Sequence, residues 1–65
     1  MNWDIIEGKW SQFIGEMRSQ WGKLTDDDIT RINGQREQLE GALQERYGYS
    51  KEQVRHEVDQ WVAPD

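Results

Sequence analysis

Apolar residues recur at spacings of three and four through the first third of the chain: Trp3, Ile6, Trp10, Phe13, Ile14, Met17 and Trp21. At about 100° per residue they fall in one stripe, which predicts a helix with a single buried face. Asn2 and Asp4 both qualify as its N-cap, and Gly8 weakens its first turns. Gly22 stands where a helix ends in the left-handed conformation. The next segment, Leu24-Thr25-Asp26-Asp27-Asp28-Ile29, is a dense helix-start signal. Thr25 is the expected N-cap and Asp28 the third helical residue of an acidic capping box, with Leu24 and Ile29 placed as a hydrophobic staple. The three aspartates meet the positive end of the helix dipole.

Ile29 and Ile32 give this second helix a short apolar face, and Asn33-Gly34 then interrupts it, because that dipeptide favours positive φ. A third helix carries Leu39, Ala42, Leu43 and Tyr47 and closes at Gly48. Ser50 caps the fourth, with Gln53 expected to complete a capping box and Tyr49 to staple onto Val54. Val54, Val58, Trp61 and Val62 follow at i, i+4, i+7 and i+8, and Ala63-Pro64 marks the end. The two halves echo each other. Glycines fall at 8, 15 and 22 and again at 34, 41 and 48, and a shift of 26 residues aligns Met17 with Leu43 and Trp21 with Tyr47. The pattern therefore predicts an all-α four-helix bundle of two packed αα-hairpins, about 3–33 and 34–63, within one domain spanning 1–65.

Composition changes the picture in two ways. A mean hydropathy of −1.10 lies toward the disordered class. Four tryptophans, two tyrosines and a phenylalanine oppose it, since each buried aromatic removes about 150–250 Å² from water. The balance is a folded but marginal domain, because 65 residues support only about 3–5 kcal/mol of net stability. Thirteen acids against eight bases leave a net charge of −5, which disfavours nucleic acid and anionic lipid as partners. Without cysteine there is neither disulfide nor thiolate metal site. No apolar run approaches a membrane span, and the first residues lack the basic and apolar regions of a signal peptide. The expectation is a cytoplasmic protein.

The residues Gly8-Lys9-Trp10, Trp21-Gly22-Lys23-Leu24-Thr25-Asp26-Asp27-Asp28, Gly34, Leu39, Gly41 and Gln44-Glu45-Arg46-Tyr47-Gly48-Tyr49 closely resemble the CsbD-like family of small bacterial general-stress proteins. The likeness runs from about Gly8 to Trp61. It implies a stress-induced cytosolic protein without known catalytic activity, and a small helical bundle with a SAM-domain-like arrangement of two orthogonal hairpins. It brings no catalytic residues to transfer.

Candidate chemistry is sparse. Asp26, Asp27 and Asp28 point about 100° apart on a helix, so capping and dipole compensation fit them better than one ion. Asn33-Gly34 followed by Glu40 echoes half of an EF-hand loop, but that register puts Ile29 and Arg31 at ligand positions. His56 is expected to face solvent, opposite Val54. Glu45 and Glu52 have no apolar pocket to raise a pKa. Gly8, Gly15 and Gly22 form a helical stripe and no phosphate loop. No catalytic residue, cofactor or metal is expected.

Trp10 and Trp21 read as core. Trp3 and Trp61, near the two ends, are candidates for partial exposure and for a partner-binding patch. Gly15 and Gly41 fall inside helices, off the apolar stripe, where each costs about 0.5–1 kcal/mol relative to Ala. They mark either the close approach of another backbone or deliberate softness. The leading expectation is a non-enzymatic stress-response protein acting as a hydrophilic protectant, monomeric in preference to homodimeric. The alternative is a protein–protein interaction module or homodimer using Trp3, Trp61, Gly15 and Gly41. Nucleic-acid binding is a weaker third.

Overall fold

The computed structural model describes residues 2–62, all helix and connection with no strand among them. Five helices follow in order: α1 (Trp3–Gly8), α2 (Trp10–Gln20), α3 (Asp26–Ile32), α4 (Arg36–Tyr47) and α5 (Lys51–Val62). The expected stop at Ala63-Pro64 lies outside the described residues. All five helices feed one core: Ile6 from α1, Met17 from α2, Ile32 from α3, Leu39 and Leu43 from α4, and Val54 and Val58 from α5 are each essentially fully buried. α3 packs on α4, and α4 packs on α5 across Gly48, Tyr49 and Ser50.

The first apolar stripe is two helices where the spacing predicted one. Asn2 caps α1, its side chain accepting from the Ile5 amide at 3.1 Å. After Gly8 the backbone leaves the helix at Lys9, with φ −120° and ψ 38°, and α2 restarts there without a side-chain cap. Glycine is the weak point of such a segment, because it gains least from staying helical. The break frees α1 to lie over the connection between α3 and α4. There the Trp3 indole donates to the Gly34 carbonyl at 2.9 Å. Gln35 Nε2 donates to Glu7 Oε2 at 3.2 Å.

The caps of the later helices follow the sequence closely. Thr25 Oγ1 accepts from the Asp28 amide at 3.1 Å, and Asp28 Oδ2 accepts from the Thr25 amide at 3.0 Å. That is a complete acidic capping box. Asn33 and Gly34 take φ of 42° and 80°, and Gly48 closes α4 at φ 70°. Two expectations fail here. Gly22 is not left-handed; α2 ends at Trp21 with φ −127°, whose amide still reaches the Met17 carbonyl at 2.9 Å. Ser50 does accept from the Gln53 amide at 3.1 Å, but the Gln53 side chain turns along the helix to Glu57 instead of closing a box.

Candidate interaction surface

α5 presents Trp61 to three other rings. Trp21, at the end of α2, meets it edge-on with centroids 5.2 Å apart. Phe13 of α2 is edge-on at 6.3 Å, and Trp3 of α1 is tilted at 6.4 Å. Edge-to-face pairs of this kind favour the positive rim of one ring over the negative face of the other. Trp21 is 2% exposed, whereas Trp3, Phe13 and Trp61 are only partly buried, so the cluster has a dry floor and a wet edge. Ile5, at 45%, is the one large hydrophobic fully at the surface among the described residues. The Trp21 indole N–H is buried with no hydrogen-bond partner among them. Such an orphan costs about 1–3 kcal/mol, which the burial of the ring offsets.

Trp3 and Trp61, singled out from opposite ends of the sequence, are thus brought into contact. Gly15 and Gly41 are not part of that cluster's ring contacts; both are exposed, on α2 and α4. A methyl group at either would meet no atom within 4 Å. Close approach of another helix of this chain therefore does not explain them. Gly41 instead helps line a shallow cavity of about 200 Å³ between α3 and α4, beside Ala42, Ile32 and Asp28.

An ion pair between a buried carboxylate and an exposed guanidinium went unread in the sequence. Asp28, 2% exposed, accepts from Arg46 Nε at 2.6 Å and from Arg46 Nη2 at 3.1 Å, besides its bond to the Thr25 amide. The Arg46 hydrogen bonds, then the Thr25 amide, hold its carboxyl well below the usual carboxylate range, overcoming the desolvation that would raise it. One signal was available: Asp28 precedes Ile32 by four residues and so shares its inward face. Asp26 turns away to the exposed Arg18, at 2.6 Å, so the triplet splays as helix geometry requires. His56 is exposed, as expected.

A second tie joins the same end of α4 to the connection before α3. The Lys23 amide donates to Tyr47 Oη at 3.2 Å, and Lys23 Nζ lies 5.1 Å from the Tyr47 ring centroid. Tyr49 stacks on Tyr47, with centroids 5.1 Å apart and ring planes at 16°. No described helix is long and apolar enough to cross a membrane.

Fold and surface together define a small protein, helical throughout its described residues, whose tryptophan cluster reaches solvent. The chain belongs to the CsbD-like family of bacterial stress-response proteins, whose family model matches residues 4–56. It is 57% identical over 61 residues to UPF0337 protein YjbJ of Escherichia coli K12, covering 94% of this chain and 88% of that one. It is 59% identical over 61 residues to UPF0337 protein YjbJ of Salmonella typhimurium, covering 94% and 87%. It is 61% identical over 63 residues to UPF0337 protein RPA4217 of Rhodopseudomonas palustris, covering 97% and 96%. No solved structure matches the chain.

Proposed function

We propose that the protein is a non-enzymatic, cytoplasmic, hydrophilic protectant, monomeric and acting by abundance during stress. The carrying observation is the contrast between core and surface. Nearly every large apolar side chain described is drawn into or against one core, leaving Ile5 exposed, while 32% of the chain is charged with both signs interspersed. Such a surface stays soluble and hydrated when protein concentration rises. In support of the second hairpin, α4 and α5 pack on each other across a three-residue connection. The experiment is recovery of a labile test enzyme after drying or freezing with the protein added in excess. Protection that survives Ile5→Ser and Trp61→Phe, each with its helical spectrum intact, supports the reading. Protection lost with either single change would overturn it.

A second reading rests on the wet edge of the aromatic cluster. Trp3, Phe13 and Trp61 combine ring contact with partial exposure, as anchor residues of protein interfaces do. Sedimentation of the purified chain across a wide concentration range tests its simplest form. A monomer throughout argues against a homodimer built on these rings.

A further inference from the structure

The connection between α3 and α4 contains the one Asn-Gly pair in the chain. Asn33 is exposed and left-handed, with φ 42° and ψ 45°, and its side chain makes no hydrogen bond among the described residues. The amide of Gly34 likewise donates to no described acceptor, although its neighbours Asn33 and Gln35 do, to Ile29 and Ile32. An uncommitted asparagine amide followed by the uncommitted nitrogen of a residue with no side chain is the arrangement that cyclises once the pair is free to move. Nothing in the stress-protectant reading uses it.

The geometry points to Asn33-Gly34 as a spontaneous deamidation site whose rate is set by the docking of α1. The Gly34 nitrogen gives up its proton and attacks Asn33 Cγ. The new C–N bond forms as Nδ2 takes a proton and leaves as ammonia, giving a five-membered succinimide. Water then opens one of its two carbonyls, leaving aspartate or isoaspartate at position 33. No oxidant, metal or enzyme is required. Ring closure needs Asn33 ψ to rotate out of the turn, and this carries the Gly34 carbonyl with it.

α1 resists that rotation. Trp3 Nε1 holds the Gly34 carbonyl at 2.9 Å. Glu7 lies over the glycine, its Cγ 3.4 Å from where a Cβ would stand, and is itself held by Gln35. Gly34 is buried beneath them although Asn33 is not. α1 is short and is cut off from α2 by the backbone break at Lys9, the kind of segment that opens locally before the rest of a domain. Each opening exposes the pair to closure. The product adds a carboxylate next in sequence to the glycine that Glu7 covers, and isoaspartate also lengthens the main chain within a turn that needs two successive positive φ values. The reaction therefore weakens the seat of α1 and runs one way, recording time spent open.

The test is incubation of the full chain in neutral buffer, followed by peptide mapping for the deamidation mass gain and labelling with isoaspartyl methyltransferase. Label on the peptide carrying position 33, absent from that carrying Asn2, is expected. Trp3→Phe keeps a ring but removes the donor, and should speed the reaction about fivefold, the factor one ordinary hydrogen bond supports. The urea-unfolded parent chain should react faster than the folded one, which keeps the proposal testable if Trp3→Phe does not fold. A folded chain that never labels at position 33 while the unfolded one converts would overturn the site. Equal rates in folded and unfolded parent, or a folded Trp3→Phe no faster than the parent, would overturn the control by α1.

Discussion

Asp28→Asn removes the buried charge while keeping the shape of the side chain. The carboxylate of Asp28 receives three hydrogen bonds, one from the Thr25 amide and two from Arg46. The Thr25 amide and Arg46 Nε share Oδ2 while Arg46 Nη2 takes Oδ1, so the single acceptor oxygen of Asn can keep the first two only by turning its NH₂ toward the Nη2 donor. Breaking a buried pair by removing one partner costs about 3–5 kcal/mol. Here the side chain of Arg46 is 36% exposed and can rotate into water, which lowers the expected loss to about 2–3 kcal/mol. Set against the roughly 3–5 kcal/mol available to a domain of this size, that is half or more of its stability. Urea unfolding followed by tryptophan fluorescence measures it, because the m-value is fixed by exposed surface and should not change. The sign with pH follows from the depressed carboxyl. Folding favours its charged form, so the contribution is complete above about pH 5 and fades as pH falls below about 4. The parent should lose stability along that acid limb and Asp28→Asn should lose less. A variant within about 0.5 kcal/mol of the parent, the scale of an ordinary surface change, with an unchanged acid limb would refute the reasoning.

Gly15→Ala and Gly41→Ala should each raise stability by about 0.5–1 kcal/mol, since the added methyl meets open space; a lower melting temperature at either site would contradict that. Gly34→Ala should act oppositely, losing about 1–2 kcal/mol at φ 80° with Glu7 in contact, and a neutral result would mean the turn is not held left-handed. Ser50→Ala should cost about 0.5–2 kcal/mol through the Gln53 amide it orphans, read by the same urea titration, with no further loss from Gln53→Ala.

Helix caps were legible because their chemistry is local. Thr25 and Asp28 satisfy each other within three residues, and Asn33, Gly34 and Gly48 adopt positive φ where a side chain would be strained. The break at Lys9 was not legible, because Trp3, Ile6, Trp10 and Phe13 keep helical spacing straight through it. A periodic pattern reports which residues face inward and says nothing of a change in axis between turns. Gly22 misled for the complementary reason: a glycine after an aromatic fits a left-handed ending, yet the Leu24 amide closes the turn on the Trp21 carbonyl without one. The union of Asp28 with Arg46 depends on α3 packing against α4, which no spacing within either helix records. The same holds for the surface. Trp3 and Trp61 were separately suspect, but their meeting over Trp21 is a tertiary fact.

That meeting bears on how the molecule is made. Trp61 covers Trp21 and touches Trp3 and Phe13, so a ring translated late completes packing begun by rings translated some 40 residues or more before it. A chain still emerging from the ribosome can form α3 and pack it on α4, because those contacts are near neighbours in sequence. It cannot cover Trp21 until α5 has cleared the exit tunnel. Contacts of such long sequence separation form late and leave apolar rings open in the interval. A chain ending before Trp61 and held clear of the ribosome by a long linker should therefore hold its α3–α4 corner while its tryptophans remain accessible to quenchers and to chaperones.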